Sequence, residues 1–524
     1  MAFNSSGWKQ PAPLPLLMKT LGRFLLLALL GVVSSILISG ANAAAQNDAP
    51  APQAATTSNA TREFPITTSS AAAARYFEVG MQHFENHRWN FALHDWREAV
   101  QLDPQFALAY AWICFTTTDT AEESDSRSKA KAAISAVTPP EQLMVKWIVG
   151  VHENRYVEGI AAMNDLMAEY PGDKRLNFLA GYWLFRQDQY EPSRKFTLRA
   201  LAADPTYATA YNQLGYLYSR MGENDKALEA MGKYVKLLPN EPNPHDSYAE
   251  MLRLAGRFDE ALAHYRMALK IDPTFYISQK ELGETYALMG DGEKARKEYA
   301  KAIHEAPSPG LKAEYAQKSA LTYVRDKKYT EADRAFLEAA KRAHDSEQWV
   351  WEARAYHDMA MYQPDSAVAN QSLDRADGLL AAHKDAVAKV DFDEEHARIL
   401  RTRIERNLPA GPKAPLKPLA QDALAELEEM AISGSSIAIA RTAHGAEGTL
   451  LVAQQKFKAA IPHLQEDYIN PESIKLLIVA YRKTHNADAD ALRDKLLAWR
   501  MPSAEEALVV PDFRSHEGSL AAQK

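Results

Sequence analysis

The chain of 524 residues has a single cysteine, Cys114. No intrachain disulfide can form, and no metal site can rest on cysteine pairs. A lone thiol has two readings, a link to an external thiol or a small buried apolar side chain. An excess of basic charge is also missing. Lys and Arg total 60 against 68 Asp and Glu, a formal net charge of −8. No block of like-charged Lys or Arg forms a basic tail, so no nucleic-acid partner is expected. H-E-x-x-H, G-x-S-x-G, the Walker loop and C-x-x-C are all absent, which removes the common catalytic spacings. Ser126 and Lys129 fit S-x-x-K by letters, in a polar stretch with no companion motif. His83 and His87 stand four apart and His94 follows. The pair reads either as a metal site or as solvated or packed side chains. DFDEEH at 391–396 lacks the Gly and spacing of a calcium loop and reads as a charged helix start.

What is present is strongly segmented. Lys9, Lys19 and Arg23 lead into FLLLALLGVVSSILISGA from Phe24, which ends in small residues with Ala41 and Ala43 in an A-x-A pattern. Residues 1–43 have the layout of a secretory signal peptide. The alternative is an uncleaved inner-membrane anchor over 24–41, since the run approaches the ~20 residues that span a bilayer. Either reading exports the rest of the chain, to the periplasm or beyond, with a membrane contact only if the segment stays. Residues 44–70, rich in Ala, Pro, Thr and Ser, are expected as a flexible leader.

Proline then keeps time. Pro171, Pro205, Pro239, Pro273 and Pro307 are each 34 residues apart. Gly181, Gly215 and Gly283 share one column, with Ala249 in the gap; Ala227, Ala261 and Ala295 share a second; Met231, Tyr265 and Tyr299 share a third. Small residues let two helices approach, a large one fills the space beside them, and proline ends the unit. YNQLGYLY and ELGETYALMGDGEKARKEYAKAIHEAP carry aromatic, Leu-Gly, aromatic, Ala, aromatic, Ala, Pro in order. On these residues the chain resembles the tetratricopeptide repeat family. The resemblance implies an all-α fold, a right-handed α-solenoid of helix-turn-helix repeats with a smaller C-terminal helical module.

The array is expected over 71–345, strongest over 174–307. The unit opening at FALAYAWICF runs into TTTDTAEESDSRSKAKAAISAV, which reads as a long polar turn before its second helix. Degenerate helical repeats follow at 346–408. PAGPKAPLKP, residues 409–418, holds four prolines and is expected as a linker. Repeat-like helices return at 419–500. The tail, 501–524, either packs back as a cap or stays loose.

Arrays of this kind line a groove with the first helix of each repeat. Residues one after the Gly column and four further on give Tyr182 with Arg186 and Tyr216 with Arg220, flanked by Phe178 and Asn212. The next two repeats change to Asp246, Glu250 and Arg253, then Lys280 and Glu284. The expected peptide-binding groove is therefore Phe178, Tyr182, Arg186, Asn212, Tyr216, Arg220 and Arg253. Tyr and Arg dominate binding hot spots, and Arg grips carboxylates with two bonds. The other reading, also open, packs the tyrosines between first helices and leaves the arginines solvated. The family's carboxylate clamp is not reproduced, because the matching columns carry Phe178, Gln213, Asn243 and Ser247.

The expected function is non-enzymatic protein or peptide binding in a bacterial envelope complex, with no catalytic residue, cofactor or metal. One alternative is a self-associating scaffold whose groove is filled by its own leader or tail. The other is a metal-dependent hydrolase in 107–170 or 346–408, tested through His83 and His87.

Overall fold

A computed structural model describes residues 64–522, apart from 118, 154, 434 and 435. The signal segment, and the leader as far as 63, lie outside the described residues. The described chain forms 25 α-helices and two short 3-10 turns, with no strand among the described residues. None of these helices is long and apolar enough to cross a membrane. The chain forms two compact units, one ending at Met221 and one beginning at Gly222.

The first unit holds four helix pairs: Ala71–Glu85 with Trp89–Leu102, Ala107–Thr116 with Thr120–Ala133, Pro139–His152 with Tyr156–Glu169, and Lys174–Arg186 with Tyr190–Ala203. Helix Ala208–Arg220 ends it. The second unit opens with Asn224–Leu237. Its pairs then begin at Pro242, Tyr276, Pro309, Trp349, Lys389, Ile437 and Pro471, and helix Ala504–Ala522 follows.

Side-chain size at the seam explains the pairing. A Cβ on Gly283 would lie 3.0 Å from the Tyr299 ring, so the second helix rests directly on the backbone of the first. Tyr299 is buried there between Ala295 and Ala302. The turn between paired helices needs a left-handed residue. Gly256 and Gly290 supply it within the second unit, with φ of 77 and 82°.

Two expectations change. The stretch after Thr116 is not a long turn: Asp119 accepts from the backbone N–H of Ala121 and Glu122 and starts a helix at Thr120. The polar letters form that helix's wet face. Residues 409–418 are the turn of one helix pair rather than a linker between modules. Leu400 and Ile404 before them share a core with Ala423 and Leu427 after them, and Pro418 opens the second helix. The tail packs back, burying Glu506, Val509 and Val510. Cys114 is buried, and burial pushes its thiol up to about 12, the behaviour of a packing residue.

Candidate functional site

In the first unit, first helices line a common face. A cavity of about 560 Å³ there is bordered by Phe77, Met81, Leu108, Trp112, Met144 and Leu179. The end of the leader crosses it. Phe64 and Ile66 join the lining, and the Phe64 ring lies 5.8 Å from that of Tyr170. Thr67 donates from N and Oγ1 to Glu141, 2.6 Å each. Thr68 Oγ1 and Ser69 N donate to Asp103 Oδ2 at 2.6 and 2.7 Å. Residues 64–70, expected as the flexible end of the leader, are therefore held. Asp103 and Glu141 are buried carboxylates, and such groups need donors.

The groove residues expected from the sequence separate here. Phe178 is core, stacked against Tyr182 and edge-on to Tyr207, with centroids 6.2 and 5.8 Å away. Asn212 is buried, its Nδ2 2.9 Å from His87 Nε2. Burial pulls His87 down to about 4, so a neutral ring accepts from the amide. Beside them, Arg175 Nε and Tyr207 OH both donate to Glu85 Oε1, at 2.6 and 3.0 Å. Phe178 and Asn212 thus serve the unit's interior and are not groove residues. Tyr182 and Tyr216 are half-buried, while Arg186 and Arg220 end their helices in the open, complementing the helix dipole.

The histidine pair and the S-x-x-K lysine singled out in the sequence have other partners. His83 Nδ1 turns to Asp95 Oδ2 at 2.6 Å while His87 faces Asn212, so the two histidines do not form a metal pair. Ser126 is buried and Lys129 reaches Asp125 at 2.8 Å on the surface.

In the second unit, Arg253 is not a groove residue either. It is 4% exposed, 3.0 Å from Glu281 and 3.7 Å from Glu284. Lys318 lies 2.8 Å from Glu284, and Lys280 bridges Glu281 and Glu284. The charged columns of consecutive first helices thus neutralise one another. Burial opposes the charge on Glu284, but Lys318, Lys280 and Arg253 hold it far below the usual carboxylate range. Asp246 accepts from Ser278 Oγ at 2.6 Å; burial, with the Glu281 charge, pushes it up to about 7.

The tail lies on this unit's first helices. Helix Ala504–Ala522 packs on Pro309–Arg325 and Pro471–Thr484. Arg253 Nη1 donates to the Arg500 carbonyl at 3.3 Å, Arg325 pairs with Glu506, and Lys327 meets Asp512 at 2.7 Å. Next to the helix remains a cavity of about 710 Å³, lined by Lys318, Arg354, His357, Asp358, Arg401, Glu405, Arg406 and Glu505 among others. Arg354 Nε donates to buried Glu395 at 2.7 Å. His357 Nε2 lies 2.9 Å from Thr402 Oγ1. Arg401 donates to Asp467 at 2.7 Å and to Ser473 at 3.0 Å. Burial pushes Asp358 up to about 7. Sequence reasoning missed this cleft. Its signal was the polar series 354, 357, 358 and 395, 398, 401, 402, 405, helical spacing on two first helices.

Stacked helix pairs with a small-residue seam, facing inward through their first helices, define an α-helical repeat scaffold. Tetratricopeptide repeat family models match residues 196–229 and 252–317, so the chain carries tetratricopeptide repeats there. Human Protein O-mannosyl-transferase TMTC1 is 25% identical over 194 residues, 36% of this chain and 22% of that protein. Mouse Superkiller complex protein 3 is 31% identical over 91 residues, 17% of this chain and 6% of that protein. The chain thus spans less than a quarter of either relative. Among solved structures, MamA is 21% identical, covering 32% of this chain and 96% of that one, with a TM-score of 0.28. A tetratricopeptide repeat protein from Parabacteroides merdae is 12% identical, covering 47% and 98%, with a TM-score of 0.34. The repeats make this chain a protein-interaction scaffold.

Proposed function

We propose that this scaffold is non-enzymatic and serves the bacterial cell envelope, holding an extended, carboxylate-bearing segment of a partner protein along Tyr182, Arg186, Tyr216 and Arg220. One observation carries the reading. Arg186 and Arg220 occupy the same place on successive first helices and are exposed. Neither has an ion-pair partner among the described residues, whereas Arg175, Arg253 and Arg325 each face a carboxylate of their own unit. Unpaired guanidiniums beside half-buried tyrosines suit a carboxylate ligand. The envelope setting rests on the signal-like segment 1–43. The test is a pull-down from a bacterial envelope extract, comparing residues 46–524 with the same chain carrying Arg186→Ala and Arg220→Ala. A protein captured by the first bait and missed by the second is expected. Equal capture, or none, removes this face from the function.

A second reading, a scaffold filled from within, is favoured by the tail on the second unit's first helices. If tails exchange between copies, sedimentation shows a mass that rises with concentration; a constant monomer mass ends that reading.

A further inference from the structure

His444 and Glu447 stand three apart on helix Ile437–Ala453, on one face. His463 comes from the paired helix Phe457–Glu466. His444 Nδ1 and His463 Nδ1 are 3.2 Å apart, and His463 Nδ1 is 3.0 Å from Glu447 Oε2. All three ligand atoms lie within 4.8 Å of one another. A tetrahedral ion with ligands at about 2.0–2.1 Å separates neighbouring ligand atoms by about 3.3 Å. Two measured edges match that figure.

Hydrogen bonding accounts for the cluster less well. His463 Nδ1 carries at most one proton, yet it faces both His444 Nδ1 and Glu447 Oε2. A pair elsewhere in the same unit provides the contrast. His245 and His264, also 19 residues apart, bring Nδ1 to within 2.9 Å of Nδ1. There His245 Nε2 donates to the Pro239 carbonyl at 3.0 Å, so its Nδ1 accepts and one bond from His264 completes the pair. Among the described residues, no carboxylate joins that pair in a ligand cluster.

We infer that His444, Glu447 and His463 form a divalent metal site for zinc or a similar borderline transition ion. Two imidazoles and one carboxylate suit such an ion and leave a fourth position for water. All three residues are half-buried, so an ion can reach them, and it would tie the two helices of this pair together. The site is independent of the partner face in the first unit.

The full chain, stripped with chelator, is titrated with zinc chloride by calorimetry, and bound zinc is counted after gel filtration. Strong binding of one equivalent is expected. His463→Ala is expected to lose it. Glu447→Gln, which keeps the side chain's size, is expected to weaken it about tenfold or more. His264→Ala is expected to bind as wild type does. Wild type retaining no zinc overturns the assignment, and so does unchanged affinity in both Glu447→Gln and His463→Ala. Circular dichroism of Glu447→Gln separates a lost ligand from a lost fold.

Discussion

Glu506 of the last helix meets Arg325 at the end of a first helix 181 residues earlier, with side chains only 2% and 8% exposed. Truncating one member of such a pair strands the other in low dielectric. Glu506→Ala is expected to cost about 3 kcal/mol or more and to free the tail. Amide exchange over 504–522 should accelerate, and trypsin should cut after Arg500. Arg325→Met in the same chain should restore most of the loss, because it removes the stranded charge. Unchanged exchange in Glu506→Ala would mean that Val509 and Val510 hold the helix unaided.

Three arginines that look alike in sequence should behave differently. Arg253→Ala leaves Glu281 and Glu284 short of a cation in a buried cluster, and urea unfolding should show a loss of about 3–5 kcal/mol. Arg186→Ala with Arg220→Ala should change stability by no more than about 0.5 kcal/mol while abolishing partner capture. A costly Arg186, Arg220 variant would show that these side chains are structural.

That contrast marks how far the sequence could be read. Gly283, Ala295 and Tyr299 disclosed the helix seam because size at a seam is a local property, repeated at the 34-residue period across 174–307. The helix pairs and their order followed. The groove did not, because the fate of Arg253 depends on Glu281 in the next repeat and on Arg500, 247 residues away. No period links Glu506 to Arg325. The prolines of 409–418 looked like a boundary because a count of breakers cannot see Leu400 and Leu427 sharing one core. Glu395 and His357 went unnoticed because the small-residue columns that locate a first helix fade before residue 346.

The turns offer a stability test. Gly290 has φ 82°, and Glu347 takes a left-handed turn conformation at φ 58° without glycine's freedom. A left-handed side-chain residue costs about 1–2 kcal/mol, against about 0.5–1 kcal/mol of extra chain entropy for glycine. Glu347 is exposed, so little packing is lost. Glu347→Gly should stabilise by about 0.5–1 kcal/mol, and Gly290→Ala should destabilise by about 1 kcal/mol. Urea midpoints with unchanged slope measure both. A destabilised Glu347→Gly would place a side-chain interaction at that turn.

Asp246 gives the chain a pH-dependent weakness. Burial, then the charge of Glu281, raises it from 3.8 to about 7 against the opposing hydrogen bond from Ser278. A carboxyl whose folded pKa exceeds its unfolded value stabilises fully below the unfolded value. That contribution disappears as pH climbs from about 4 to about 7. Asp246→Asn keeps the shape, keeps an acceptor for Ser278, and cannot ionise. The variant and wild type should be about equally stable near pH 4. The variant should lead by about 1 kcal/mol or more at pH 8. Denaturant unfolding at both pH values checks it. A gap that stays constant would mean that Asp246 ionises in the folded chain as it does in the unfolded one, with Lys280 close enough to offset Glu250 and Glu281.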